Sequence, residues 1–301
     1  MKQIPYLHQG SRIAIAAPAR LVKRKEVIWG IEWLEKQGFV PVYDERLFSK
    51  HYIFAGDDTF RTEVIQQYLD DENIEALWLA RGGYGSIRII DQLDFTKFLQ
   101  HPKWIIGFSD GTVFHGKVNR LSVPSIHASM PYFFKKKTEA AQQSLYDVLT
   151  GIPLHYEFSA HSLNRIGQVE GEIVGGNLSV LYGMMGSDSF PETDGKILFL
   201  EEVDEYIYHI DRMMHALKRA GKLANLEGLV VGGLTQIKDN DDPFGMTVEE
   251  VISDAIKDYD YPLCFNFPAG HHADNRALVL GQKVRLEITA DKSVFFGNFF
   301  H

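Results

Sequence analysis

Trp104-Ile105-Ile106-Gly107-Phe108-Ser109-Asp110-Gly111 is the stretch on which the reading of this chain turns. Trp104 to Gly107 is apolar without alternation, as expected of a short strand buried on both faces of a sheet. It runs straight into G-x-S-x-G, and a helix is expected within a few residues. A tight strand-to-helix turn would hold the Ser109 hydroxyl out of the fold. Small flanking residues let the backbone bend, and the helix N-terminus offers N–H donors to a developing oxyanion. Read alone, the same letters also suit a serine N-cap with Asp110 in the first helical turn.

Outward from this stretch, the first half alternates strand and helix. Ile13 to Ala17 and Ala76 to Ala80 read as further buried strands. Val27, Ile31 and Leu34 recur at helical spacing before Gly38, and Phe60 to Leu69 reads as a second helix. That alternation predicts an α/β fold with a mainly parallel N-terminal sheet and flanking helices over residues 1–150. Residues 151–168 are polar and lack periodicity, which predicts a linker. Residues 169–301 are expected to form a second, smaller mixed α/β domain. Its strands are Ile197 to Leu200 and Gly228 to Val231, the latter ending in a Gly232-Gly233 turn. Thr247 and Glu250 form a capping box, and Leu278 to Leu280, Val284 to Ile288 and Val294 to Phe296 make the C-terminal part β-rich.

The 301 residues are 45% hydrophobic, ample for packed cores, and carry a net charge of −9, which argues against nucleic acid or an anionic membrane as partner. No apolar run approaches the ~20 residues of a membrane helix, and the short run from Ile13 to Ala19 reads as a strand, not a signal segment, so the cytoplasm is expected. A single cysteine, Cys264, excludes an intrachain disulfide and a cysteine metal cluster, and its apolar neighbours predict burial.

A second glycine-rich turn, Ala80-Arg81-Gly82-Gly83-Tyr84-Gly85, follows a strand and would bring bare N–H groups to a phosphate or an oxyanion. Arg88 stands where the third glycine of G-x-G-x-x-G belongs, which weakens a nucleotide reading. Twelve histidines compete as a base for Ser109. His271 stands out because Pro268-Ala269-Gly270 precedes it after an apolar strand. His271-His272-Ala273-Asp274 also has the look of a metal site, but no second ligand cluster has a fitting spacing. A carboxylate must orient the imidazole. Glu201 and Glu202 both stand at the end of the Ile197 strand, and local chemistry does not choose between them.

In chain order, Ala80 to Gly85, Gly107-Phe108-Ser109-Asp110, Gly175-Gly176-Asn177-Leu178, Leu200-Glu201-Glu202 with Ile210-Asp211-Arg212-Met213, and Gly270-His271 make a series. Together it resembles the LD-carboxypeptidase family, murein tetrapeptide carboxypeptidases and the related microcin immunity proteins, over nearly the whole chain. The resemblance implies a Ser–Glu–His triad of Ser109, Glu201 and His271. It places the oxyanion hole on the N–H groups of Asp110 and Gly83. Two departures stand out: Gly111 replaces a commoner isoleucine, and His127-Ala128-Ser129 replaces His-Gly-Pro.

The activity so implied is hydrolysis of the L,D amide bond that releases terminal D-alanine from murein tetrapeptides, in peptidoglycan recycling. It needs no cofactor and no metal, and the resemblance suggests a homodimer. The small peptide partner carries carboxylates, so Arg81 is a candidate substrate contact. Arg212 is either a second such contact or a scaffold paired with Glu202 or Asp211. Two alternatives share the motifs: a microcin-type immunity hydrolase acting on aminoacyl-adenylate analogues, which would want a stacking aromatic wall, and a non-catalytic small-ligand-binding module.

Overall fold

The computed structural model describes residues 2–297. Among these described residues thirteen strands form two sheets. The first contains β1 (Arg12–Ala16), β2 (Val40–Val42), β3 (Ala76–Leu79), β4 (Trp104–Gly107), β5 (Ser125–His127) and β11 (Leu278–Leu280). Its order is β11-β5-β4-β3-β1-β2, parallel throughout except for the antiparallel β11–β5 pair. The helices between its strands include α1 (Arg24–Lys36) and α2 (Asp58–Asp70), and α4 (Thr112–Arg120) follows β4. Gly38, at φ 87°, stops α1 in the left-handed conformation that glycine adopts at least cost.

The second sheet has the order β10-β9-β8-β7-β12-β13-β6. Its strands are β6 (Leu154–Ser159), β7 (Gly167–Asn177), β8 (Ile197–Val203), β9 (Gly228–Thr235), β10 (Leu263–Cys264), β12 (Lys283–Ile288) and β13 (Lys292–Gly297). The long β7 joins two halves of opposite character. Its first half pairs antiparallel with β12, and its second half pairs parallel with β8. The expected mixed α/β architecture, mainly parallel in its first sheet, is thus found. The capping box at Thr247 is formed as read, opening α8 (Val248–Ala255). Cys264 is buried in β10, with its thiol pushed up to about 12 by desolvation.

Three expectations need correction. Residues 151–168 are not a free linker, because β6 lies within them as an edge strand of the second sheet, paired with β13. Leu154 and Tyr156 alternate inward with exposed His155 and Glu157, a two-residue period hidden by the polar letters around it. Residues 169–301 do not stay in one sheet either, since β11 crosses back to pair with β5. Finally, Gly232-Gly233 is no turn. Strand β9 runs through both glycines to Thr235.

Candidate active site

In sheet order the first five strands run 2-1-3-4-5, so connections leave β1 and β3 toward opposite sides and open a crevice at their C-terminal ends. The segments after β1, β3 and β4 meet there: Arg20, the Arg81–Gly83 turn and Ser109 all line one cleft of about 460 Å³. The second sheet closes it with Asn177, Glu202 and His271.

Ser109 sits at φ 60°, a left-handed conformation unusual for a residue with a side chain. The strain marks the sharp bend from β4 into the 3₁₀ turn Ser109–Gly111 and then α4. The Arg81–Gly83 turn is packed against this bend. A Cβ on Gly82 would lie 3.2 Å from the Asp110 nitrogen and 3.3 Å from Ser109 Oγ. The buried Asp110 carboxylate ties the two together, accepting the Ser86 N–H at 2.9 Å. Burial raises the Asp110 pKa, and the backbone donors of Ser86 and Gly85 oppose the rise. Among the described residues, neither the Asp110 nor the Gly83 N–H makes a backbone hydrogen bond outside the regular elements.

Across the cleft, His271 Nδ1 lies 2.6 Å from Glu201 Oε2. A carboxylate accepts, so Nδ1 carries the proton and Nε2 is left as the acceptor. The Glu201 side chain is fully buried, while that of His271 is 19% exposed and opens to the cleft. The imidazole rests beside Phe108, with centroids 4.8 Å apart. Its loop is fastened from several directions. The Gly270 N–H donates to Asn275 Oδ1 at 2.7 Å, the Gly233 N–H to the Ala269 carbonyl at 2.8 Å, and Lys137 Nζ to the His272 carbonyl at 2.9 Å. Burial lowers the Lys137 pKa, and attraction to Glu201 works against that fall.

This geometry separates the two glutamates. Between Leu200 and Glu202, β8 advances two residues while β9 advances three, because the Gly232-Gly233 segment bulges. Gly232 is needed there: a Cβ would meet the Ala269 carbonyl oxygen at 2.3 Å. Glu201 faces the histidine. Glu202 is held instead by Asn177 Nδ2 at 2.9 Å and by the N–H groups of Ser179 and Val203 at 2.7 and 2.8 Å. Burial raises the Glu202 pKa while those donors pull it down.

His272 points away from His271. Its ring packs on Gly233 and lines a separate cavity with Asn266 and Thr235. Among the described residues no three His, Cys, Asp or Glu side chains converge as metal ligands. Arg81 lines the cleft but is partly engaged, donating from Nη1 to the Leu21 carbonyl at 2.9 Å and lying over Tyr132 at 4.1 Å. Arg212 is neither a cleft residue nor, among the described residues, an ion-pair partner of Glu202 or Asp211. Its guanidinium lies over Tyr208, 5.3 Å from the ring centre, because α7 (Ile207–Arg219) turns that face outward. His127, the first residue of the departing His-Ala-Ser segment, ends β5, is buried and is stacked on Phe108 at 5.8 Å.

Sequence reasoning passed over Arg20, Lys137 and Asn275. Only Arg20 left a signal, its position just past the C-terminal end of β1, where parallel sheets collect ligands. Lys137 and Asn275 are brought in by tertiary packing alone.

Known proteins resemble this chain over most of its length. Residues 13–128 match the LD-carboxypeptidase N-terminal domain and residues 170–286 the LD-carboxypeptidase C-terminal domain. A Bacillus subtilis protein named "Probable murein peptide carboxypeptidase" is 30% identical over 294 residues, covering 95% of this chain and 92% of its own. The crystal structure of muramoyltetrapeptide carboxypeptidase from Oxalobacter formigenes superposes with a TM-score of 0.87 at 26% identity, over 95% of this chain and 98% of that one. MccF in complex with glutamyl sulfamoyl guanosine shares the fold, with a TM-score of 0.87 at 20% identity over 99% of both chains.

Proposed function

This chain belongs to the LD-carboxypeptidase family, and from that premise we propose that it releases the terminal D-alanine of murein tetrapeptides through Ser109, His271 and Glu201. The observation that carries the reading is the 2.6 Å contact from His271 to the buried Glu201, set in the same cleft as the strained Ser109.

His271 Nε2 takes the Ser109 proton as Oγ attacks the amide carbonyl. Glu201, accepting from Nδ1, holds the ring in the required tautomer and stabilises the imidazolium that forms. The N–H groups of Asp110 and Gly83 receive the oxyanion. Oxyanion donors of this kind are worth roughly 100- to 1000-fold in rate. Imidazolium then protonates the departing amine of D-alanine, and a water molecule, activated by the same base, frees the acylated serine. No cofactor enters these steps, since the nucleophile, the base and the oxyanion donors are all supplied by the chain.

The substrate class follows the names of the murein peptide carboxypeptidases that the chain resembles. An adenylate-type substrate has less support. None of the four tryptophans lines the cleft, and the face of Tyr132 is already covered by Arg81. We place the enzyme in the cytoplasm, where recycled wall peptides are trimmed; among the described residues no helix is long and apolar enough to cross a membrane. A homodimer belongs to the same proposal, and light scattering at twice the chain mass checks it. The substrate is tested by presenting the wild-type protein with a murein tetrapeptide ending in D-alanine and with its L-alanine epimer. The expected result is release of alanine from the first alone. Equal release from both would remove the L,D assignment.

A further inference from the structure

We propose that Arg20 determines specificity for a free C-terminal carboxylate by binding that carboxylate in the cleft, an inference that rests on the proposed function. Arg20 stands at the crevice where β1 and β3 send their connections apart. Its backbone is fixed: Arg20 bridges Phe54, and the Ala55 N–H donates to the Ala19 carbonyl at 3.1 Å. Its aliphatic stem lies on Gly83, close enough that a Cβ there would meet Arg20 Cδ at 2.4 Å. Gly82, the residue before, packs on Ser109 Oγ. The two glycines therefore have the serine on one and the arginine on the other.

A carboxypeptidase substrate has the matching spacing. Its terminal carboxylate lies one residue beyond the carbonyl under attack, at most about 3.6 Å of extended chain. With the carbonyl oxygen on the Gly83 and Asp110 N–H groups, the carboxylate falls beside the glycine turn, within reach of Arg20.

The charge inventory of the cleft points the same way. Glu202 is saturated by Asn177, Ser179 and Val203, Asp204 pairs with Lys238, and Arg81 is engaged by Leu21 and Tyr132. Arg20 is exposed and, among the described residues, its guanidinium has neither a hydrogen-bond acceptor nor an ion-pair partner. A guanidinium offers five N–H donors in the planar fork that suits a carboxylate.

The test is kcat/KM on two peptides, a murein tetrapeptide ending in D-alanine and the same peptide ending in D-alaninamide, for wild type, Arg20→Gln and Arg81→Gln. Wild type is expected to favour the free acid by about 10- to 100-fold, the worth of one charge-assisted pair. Arg20→Gln should lose most of that preference through KM on the acid, with little change on the amide, and Arg81→Gln should retain it. Equal losses on both peptides would make Arg20 a packing residue and overturn the proposal. Discrimination kept in Arg20→Gln but lost in Arg81→Gln would overturn it in favour of Arg81. A wild type inactive on both peptides would remove the carboxypeptidase reading itself, and this inference with it.

Discussion

Glu201 and Glu202 are chemically identical neighbours, and the fold gives them different work. One accepts from an imidazole that opens to the cleft; the other is enclosed by three donors from the Asn177 turn and its own strand. Glu201→Gln is expected to lower kcat by on the order of 10³- to 10⁴-fold with little loss of stability, because an amide can hold the wrong tautomer of His271. Glu202→Gln should change kcat far less and cost about 1–3 kcal/mol of stability, since an amide NH₂ would then face buried N–H donors. Paired kinetics and urea melts of the two variants check this, and a reversal of the two patterns would reverse the assignment. The elbow at Ser109 was legible from its neighbours because a sharp strand-to-helix bend is a local device. The choice between the glutamates was not, because it depends on a bulge in β9, the strand beside them.

At the scale of elements, that bulge fastens the histidine loop to the sheet. Gly232→Ala would push against the Ala269 carbonyl and the Phe199 ring, displacing the segment that carries His271. A loss of about 100-fold in kcat is expected, the effect of roughly 1 Å of misplacement, together with a lower Tm. Normal turnover in that variant would show that the loop is positioned by other contacts. In the sequence this pair resembled a turn, since two glycines together usually mark one; the close approach of another backbone leaves no separate local trace. The β6 strand was missed for a related reason, its inward residues being too few to stand out.

Under the elbow, α4 and β5 bury His115 and His127. Desolvation lowers the His115 pKa to about 4 and that of His127 well below its usual value. His115 Nε2–H donates to the Gly107 carbonyl and Nδ1 accepts from Ser125 Oγ, an arrangement of the neutral ring. As the pH falls from 6.5 toward 4, the unfolded chain takes up protons that these folded histidines refuse, so stability falls with pH. For His115 the loss is about 3 kcal/mol across that window. Urea unfolding at pH 7 and pH 4 should show it, and His115→Gln should flatten part of the slope. An unchanged slope would mean that other groups govern acid sensitivity.

Over the whole molecule, the cleft is the seam of two sheets. The elbow and the Arg81–Gly83 turn come from the C-terminal ends of the first sheet, and Glu201 and the His271 loop from the second. The chain between His271 and β12 returns through β11 to β5, so the two sheets are tied at the site itself. Strand and helix alternation made β1, β3 and β4 readable, since apolar residues run through them almost without a break, whereas β2 and β5 are three residues each and β5 carries Ser125 and His127. The second sheet mixes parallel and antiparallel pairing, and its edge strands carry weaker patterns.

The joining of the two sheets at one catalytic centre is tested most directly by free D-alanine release from a murein tetrapeptide, followed by mass spectrometry, for wild type and Ser109→Ala with matched circular dichroism spectra. Release by the wild type that falls to background in Ser109→Ala is the predicted result. Release that persists in the folded Ser109→Ala protein would contradict the triad, and with it the role assigned to the elbow.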